Sequence, residues 1–233
     1  MQQPGGNSAM TATNDQQPIN VDVSGAAEDV AVELDAETVA RFQFHGQDVG
    51  WLLDQRATNR ADHPFLVWEP KDGPSRTWTY GEFAVATRKV AVGLAERGVG
   101  VGDAVLIHAE NCPEAAIAWY AVARLGGIAV TTNTRSVAAE LSYFIEHSGA
   151  VGAITQPKLA SVVAEAGADL AWVVVTDDNA GEPADDEQLA HGGESFDSLF
   201  GDADTVPALH PDPLRPVSIM FTSGTTSKPK AVV

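Results

Sequence analysis

The first thirty positions are polar, contain glycine and sustain no hydrophobic period, so residues 1–40 are expected to form a disordered acidic arm whose most polar part ends near Val30. From Asp48 the pattern changes. Val49, Leu52 and Leu53 recur at helical spacing behind Asp48, which predicts an amphipathic helix to about Asn59 with Asp48 as its cap. "PFLVWEP" and "GPSRTWTY" are short, apolar and joined by turn residues from Lys71 to Pro74, the signature of a hairpin. Thr79 and Glu82 stand at capping-box spacing before Phe83, Val90 and Leu94, predicting a helix from Tyr80 to about Arg97 that Gly98 ends in a left-handed conformation.

The same grammar then repeats. "AVLIHA", "IAVTT", "AVGAITQ" and "LAWVVVTDD" are short apolar runs rich in β-branched residues, and each reads as a buried strand. Between them lie three helical segments: one capped by Asn111 with Pro113 in its first turn, one capped by Ser136 and stopped at Gly149, and one beginning at Pro157. Strands alternating with helices over short links predict an α/β fold, a mostly parallel sheet covered by helices on both faces. Ligands of such folds bind at the loops after the carboxyl ends of the strands.

Charge sharpens the domain picture. The 32 acidic residues outnumber the 14 basic ones, giving a net charge of -18. The whole excess lies in residues 1–40 and 177–212, neither of which holds a lysine or arginine. The body of the chain, residues 41–233, is thus one domain interrupted by an acidic loop at 178–212, expected as an exposed connection in which "ESFDSLFG" could form a short helix. An acidic chain without a basic face argues against nucleic-acid binding. The lone Cys112 excludes an internal disulfide, and neither a signal peptide nor an apolar run long enough for a transmembrane segment is read, so a cytoplasmic protein is expected.

One segment is hard to explain by folding alone. Val217 to Phe221 read as a strand that opens into Thr222, Ser223, Gly224, Thr225, Thr226 and Ser227, followed by Lys228 and Lys230. Five hydroxyls around one glycine, with two bases behind them, offer hydrogen-bond donors and positive charge to a polyphosphate. Pro229 stands where the common P-loop needs glycine, so this is not that motif, and on composition alone a plain Ser/Thr-rich turn remains as good a reading. His108 and Cys112 are four apart, yet no further Cys or nearby His completes a metal set; Trp119 and Tyr120 read as helix packing.

The order of residues here resembles the adenylate-forming (AMP-binding) superfamily, which includes acyl-CoA synthetases. Its phosphate-binding signature, T-S-G-T-T-G-x-P-K-G-V, reads Thr222-Ser223-Gly224-Thr225-Thr226-Ser227-Lys228-Pro229-Lys230-Ala231-Val232 in this chain, with Ser227 and Ala231 in place of glycines. "TWTYGEF", "LAERGVGVGDAVLI" and "NCPEAAIAWYAVARLGGIAVTTN" are similar to upstream landmarks of the same family, and the likeness runs from about Val49 to Val233. The resemblance implies the truncated N-terminal part of the large domain of an ATP-dependent carboxylic acid–CoA ligase, inactive by itself. Alternatives are an adenylation domain acting on a carrier-protein thiol and a non-catalytic relic or nucleotide-binding fragment. It further implies ATP, Mg2+ and coenzyme A, a small carboxylic acid as substrate, and Thr222, Ser223, Gly224, Thr225, Thr226, Ser227 and Lys230 as the phosphate-binding residues. No catalytic residue and no metal ligand is assigned.

Overall fold

A computed structural model describes residues 45–167, 169–222 and 229–233. The expected arm at residues 1–40 lies outside them. The chain runs α1 (Val49–Asn59), β1 (Pro64–Trp68), β2 (Arg76–Thr79), α2 (Tyr80–Glu96), β3 (Ala104–His108), α3 (Pro113–Arg124), β4 (Ile128–Thr131), α4 (Ala138–Ser148), β5 (Ala150–Thr155), α5 (Pro157–Ala166) and β6 (Trp172–Val175). It continues through β7 (Asp178–Asn179), β8 (Glu182–Pro183), α6 (Asp186–Leu189), β9 (Glu194–Ser195), two 3-10 turns (Phe196–Leu199 and Ala203–Thr205), β10 (Ser218–Thr222) and β11 (Lys230–Val232).

The central sheet has the order β11-β10-β4-β3-β5-β6-β9, parallel throughout except for β11, which returns antiparallel beside β10. Side chains alternate across a strand, and β3 uses both directions. Val105 and Ile107 join a core with α1, α2 and α3, whereas Ala104 and Leu106 join a second core with α4 and α5. Every residue of β3 is buried. The expected parallel sheet with two covered faces is what the chain forms.

Local signals set the element ends. Asp48 Oδ1 accepts from the Trp51 amide at 2.7 Å and so caps α1. Thr79 and Glu82 complete the capping box at the start of α2. At its other end Gly98 takes φ +86, which lets Val99 donate back to the Leu94 carbonyl and bury against it. Two caps differ from expectation. Cys112, not Asn111, precedes α3, its Sγ accepting from the Ala115 amide at 3.5 Å. Ser136 is spent in a turn, donating its amide to the Asn133 carbonyl, and α4 starts one residue later, behind Val137.

The acidic connection also differs. It is not structureless: β7 and β8 form a two-residue hairpin, and β9 adds a parallel strand at the edge beside β6. Phe196 and Leu199 of "ESFDSLFG" are buried in the first core, as the short helix expected there. The reason is a close approach to α2. A Cβ on Gly93 would stand 2.3 Å from the Leu199 carbonyl oxygen, so only glycine admits this backbone. Apolar anchors thus hold a segment whose acidic side chains face water.

Candidate functional site

β10 pairs in parallel with β4, placing its carboxyl end beside the carboxyl ends of β4 and β3. Thr222 is its last residue and is exposed; Lys230, its register partner, begins β11. The Thr222 Oγ1 hydroxyl donates to the Lys230 carbonyl at 3.5 Å across the mouth of the hairpin. Ser223, Gly224, Thr225, Thr226 and Ser227 lie outside the described residues, as does Lys228. Of the expected phosphate-binding set, the described structure therefore brings together Thr222 and Lys230.

What holds this hairpin is α4. Phe221 stacks on Phe144 with ring centres 4.1 Å apart, and Tyr143 meets the same Phe221 ring edge-on at 6.2 Å. The Tyr143 hydroxyl donates to the Pro229 carbonyl at 3.3 Å. On the opposite face, Trp119 Nε1 lies 3.5 Å from Ser218 Oγ, which donates to the Ala129 carbonyl at 3.0 Å. Strand and helix registers are thus locked before the loop begins.

The same sheet edge carries two adjoining clefts. One, of about 660 Å³, is lined by Trp68, Lys71, Glu110, Thr132, Asn133 and Lys158 among others. The second, of about 410 Å³, shares Trp68, Glu110 and Thr132 but is walled by Leu66, Ile107, Pro113 and Trp119. Lys158 pairs with Glu110 at 2.6 Å, and Lys71 pairs with Glu182 at 3.0 Å. That hydrogen bond and its charge raise the Lys71 ammonium and lower the Glu182 carboxyl from their ordinary values. Each cation in the first cleft is matched by a carboxylate, so the cleft is polar without being a charged trap.

Two residues singled out by sequence, His108 and Cys112, are buried near these clefts, and Cys112 lines the second. His108 is fully buried, with Nδ1 2.9 Å from Thr132 Oγ1, and desolvation drives its pKa down to about 4, leaving the ring neutral at pH 7. Burial pushes the Cys112 thiol up to about 12, so it is a helix cap and packing group rather than a nucleophile. The pair does not form a metal site: among the described residues, no group of three or more His, Cys, Asp or Glu side chains could hold a metal ion. Burial also raises the Glu114 carboxyl.

Sequence reading missed Lys158, Glu110 and Asn133 as cleft residues, although each follows the end of a strand, which is the available signal. It missed Tyr143 altogether. Nothing in the local pattern of α4 announces that contact, because it depends on how the helix packs over β10.

The sequence profile of the AMP-binding enzyme family matches residues 53–233. A crotonobetaine/carnitine–CoA ligase from Citrobacter koseri is 28% identical over 192 residues, which cover 81% of this chain and 36% of the relative. A 4-coumarate–CoA ligase 2 from Oryza sativa subsp. japonica is 31% identical over 191 residues, covering 76% of this chain and 32% of that protein. The chain thus spans about a third of the length of the curated relatives it matches. Among solved structures, the apo form of MbtA from Mycobacterium smegmatis superimposes with a TM-score of 0.68 at 26% identity, covering 85% of this chain and 36% of that one. Among the described residues no helix is long and apolar enough to cross a membrane.

Proposed function

Because the chain belongs to the AMP-binding enzyme family, we propose that it is the N-terminal part of an ATP-dependent carboxylic acid–CoA ligase of the cytoplasm. The observation that supports this most is the placement of the Thr222–Lys230 hairpin. A strand of the parallel sheet reaches the carboxyl edge at Thr222, the hydroxyl-rich sequence follows it, and Lys230 begins the returning strand. The small carboxylic acid, ATP and coenzyme A are the substrates in this reading, which is favoured over a carrier-protein acceptor by the CoA ligases among its relatives.

The chemistry has two steps. An oxygen of the acid attacks the α-phosphorus of ATP, the bond to the bridging oxygen breaks, and pyrophosphate leaves with that electron pair. The coenzyme A sulfur then attacks the acyl carbonyl, and AMP leaves with the acyl C–O electrons. In the first step negative charge grows on pyrophosphate while two anions are held together, a task for preorganised donors and a cation at the leaving group. Thr222, Ser223, Gly224, Thr225, Thr226 and Ser227 enclose the β- and γ-phosphates, and Lys230 supplies the charge. Mg2+ would be held chiefly by the ATP phosphates and would offset their charge; among the described residues no group of three or more His, Cys, Asp or Glu side chains could hold a metal ion by itself.

The test is Lys230→Met in the full-length protein. Methionine keeps the aliphatic stem and removes the charge. Single-turnover adenylate formation should fall about 30-fold to 1000-fold, or roughly 2 to 4 kcal/mol, while the thermal midpoint stays put. Unchanged adenylation would remove the phosphate role from this loop.

A further inference from the structure

We propose that the two adjoining clefts form one binding site for an uncharged, amphipathic amide, and that His108 is a positioning residue that presents the Thr132 hydroxyl to the amide's carbonyl oxygen. Neither Thr222 nor Lys230 lines the clefts, so the site does not depend on the functional reading above. Among the described residues, five of the six buried polar side chains stand at the carboxyl ends of β3, β5 and β6 or just beyond them: His108, Thr155, Gln156, Thr176 and Asn179. Burying a polar group costs free energy unless it is hydrogen-bonded, so polar side chains gathered under one sheet edge must have partners there. Three of them serve the chain itself. Thr155 donates to the His108 carbonyl at 2.8 Å, Thr176 donates to the Asp178 carbonyl at 2.7 Å, and Asn179 joins the Lys158 amide to the Gln188 side chain. The other two hold the cleft floor. Gln156 Oε1 accepts from the Glu110 amide at 3.0 Å, His108 Nδ1 lies 2.9 Å from Thr132 Oγ1, and both Glu110 and Thr132 line both clefts.

The proton on His108 decides what Thr132 offers. The ring is fully buried and neutral, so it carries a single N–H, and its Nε2 has no hydrogen-bond partner among the described residues. An orphaned buried N–H is rarer than an orphaned acceptor, which places the proton on Nδ1, where Thr132 Oγ1 accepts it. The hydroxyl hydrogen of Thr132 is then free to donate. The clefts thus gain a donor whose direction is fixed from beneath by a side chain that itself stays out of reach.

The walls define the rest of the ligand. The second cleft is apolar along Leu66, Ile107, Pro113 and Trp119, and it shares Trp68 and Thr132 with the polar first cleft. In the first cleft Lys158 is paired with Glu110 and Lys71 with Glu182, so an anion finds no unmatched cation there and a cation no unmatched carboxylate. A neutral molecule with an aryl or alkyl body and a carbonyl acceptor satisfies both halves. An amide adds N–H donors suited to the side-chain oxygens of Asn111 and Thr134, which line the first cleft.

The experiment measures binding of hydrocinnamamide, and of hydrocinnamate as its charged counterpart, to the full-length protein by titration calorimetry. Thr132→Val keeps the side chain's shape and removes the donor, so the amide's Kd should rise about threefold to tenfold, the scale of one net hydrogen bond. Thr132→Ser keeps the donor and should stay within about twofold of the unsubstituted protein. His108→Leu should weaken the amide as Thr132→Val does, and the double variant should weaken it no further, because the two residues act through one hydrogen bond. In the unsubstituted protein, nitrogen NMR of labelled histidine should find the His108 proton on Nδ1. An amide affinity untouched by Thr132→Val would overturn the site. Hydrocinnamate losing as much affinity as the amide in that variant would overturn the assignment to uncharged ligands. A proton on Nε2, or effects of His108→Leu and Thr132→Val that add in full, would overturn the positioning role of His108.

Discussion

Within the described residues, the middle of the sheet and its β10–β11 side are held by different kinds of contact. β3 is buried along its whole length between two helical layers. β10 buries only Ile219 fully, and its Met220 is 56% exposed opposite a Val232 that is 48% exposed. The centre derives its stability from burial on both faces, each side chain closing space that its neighbours would otherwise leave open. The β10–β11 side derives its position from a few directed contacts: the Phe221–Phe144 stack, Trp119 on Ser218, and Tyr143 on Pro229. Strength at the centre and specificity at the β10–β11 side are thus separable, and substitutions should pull them apart.

Leu106→Ala should be the most damaging to stability. The side chain is fully buried within the second core, and its removal leaves a cavity costing about 2 to 5 kcal/mol in urea unfolding. Lys230→Met should produce a loss of similar size, roughly 2 to 4 kcal/mol, but in the barrier to adenylation and not in unfolding. A comparable fall in unfolding free energy for that variant would erase the distinction between the two regions.

His108 provides a pH test of the centre. Its folded pKa of about 4 lies below the ordinary 6.5, because burial disfavours the imidazolium. The unfolded chain therefore takes up the proton first as the pH falls. The stability associated with the neutral ring is fully present above pH 6.5 and is lost progressively down to about pH 4, up to about 3 kcal/mol. His108→Gln should flatten that part of the profile in urea titrations at pH 7 and pH 4.5. An unchanged slope would mean that other groups carry it. At the small end, Met220→Ala should shift the urea midpoint of this chain by less than about 0.5 kcal/mol equivalent, since its side chain is mostly in water.

The sequence announced the centre better than the β10–β11 side, and the reason is physical. Runs such as "AVLIHA" and "WVVV" are short, apolar and β-branched because both faces are covered, and that requirement is written at every position. Caps at Asp48 and Thr79 and the stop at Gly98 are likewise local, so they were legible. The start of α4 was misplaced by one residue because a turn at Asn133 competes for Ser136. For the site, the order of hydroxyls from Thr222 onward is a chemical pattern and was readable, while Tyr143 was not. Its relation to Pro229 joins positions 86 apart and exists only once α4 lies over β10. The burial of Phe196 and Leu199 inside an acidic stretch was only half visible, since two apolar residues among many carboxylates carry little periodicity.

The seat that Gly93 opens for Leu199 also divides the acidic segment into parts of unequal tolerance to change in length. β8 and β9 act as two posts, the second followed at once by the docked turn at Phe196–Leu199. Chain added between His191 and Gly192 would leave both posts where they are, because Gly192 faces open space at φ +72. Doubling the length of a flexible span costs only about 0.6 kcal/mol in closure entropy. A single residue inserted between Phe196 and Leu199, by contrast, would carry Leu199 off its seat. Within one acidic stretch, the His191–Gly192 junction is therefore open to grafted peptides or labels, and the turn at Phe196–Leu199 is closed to them.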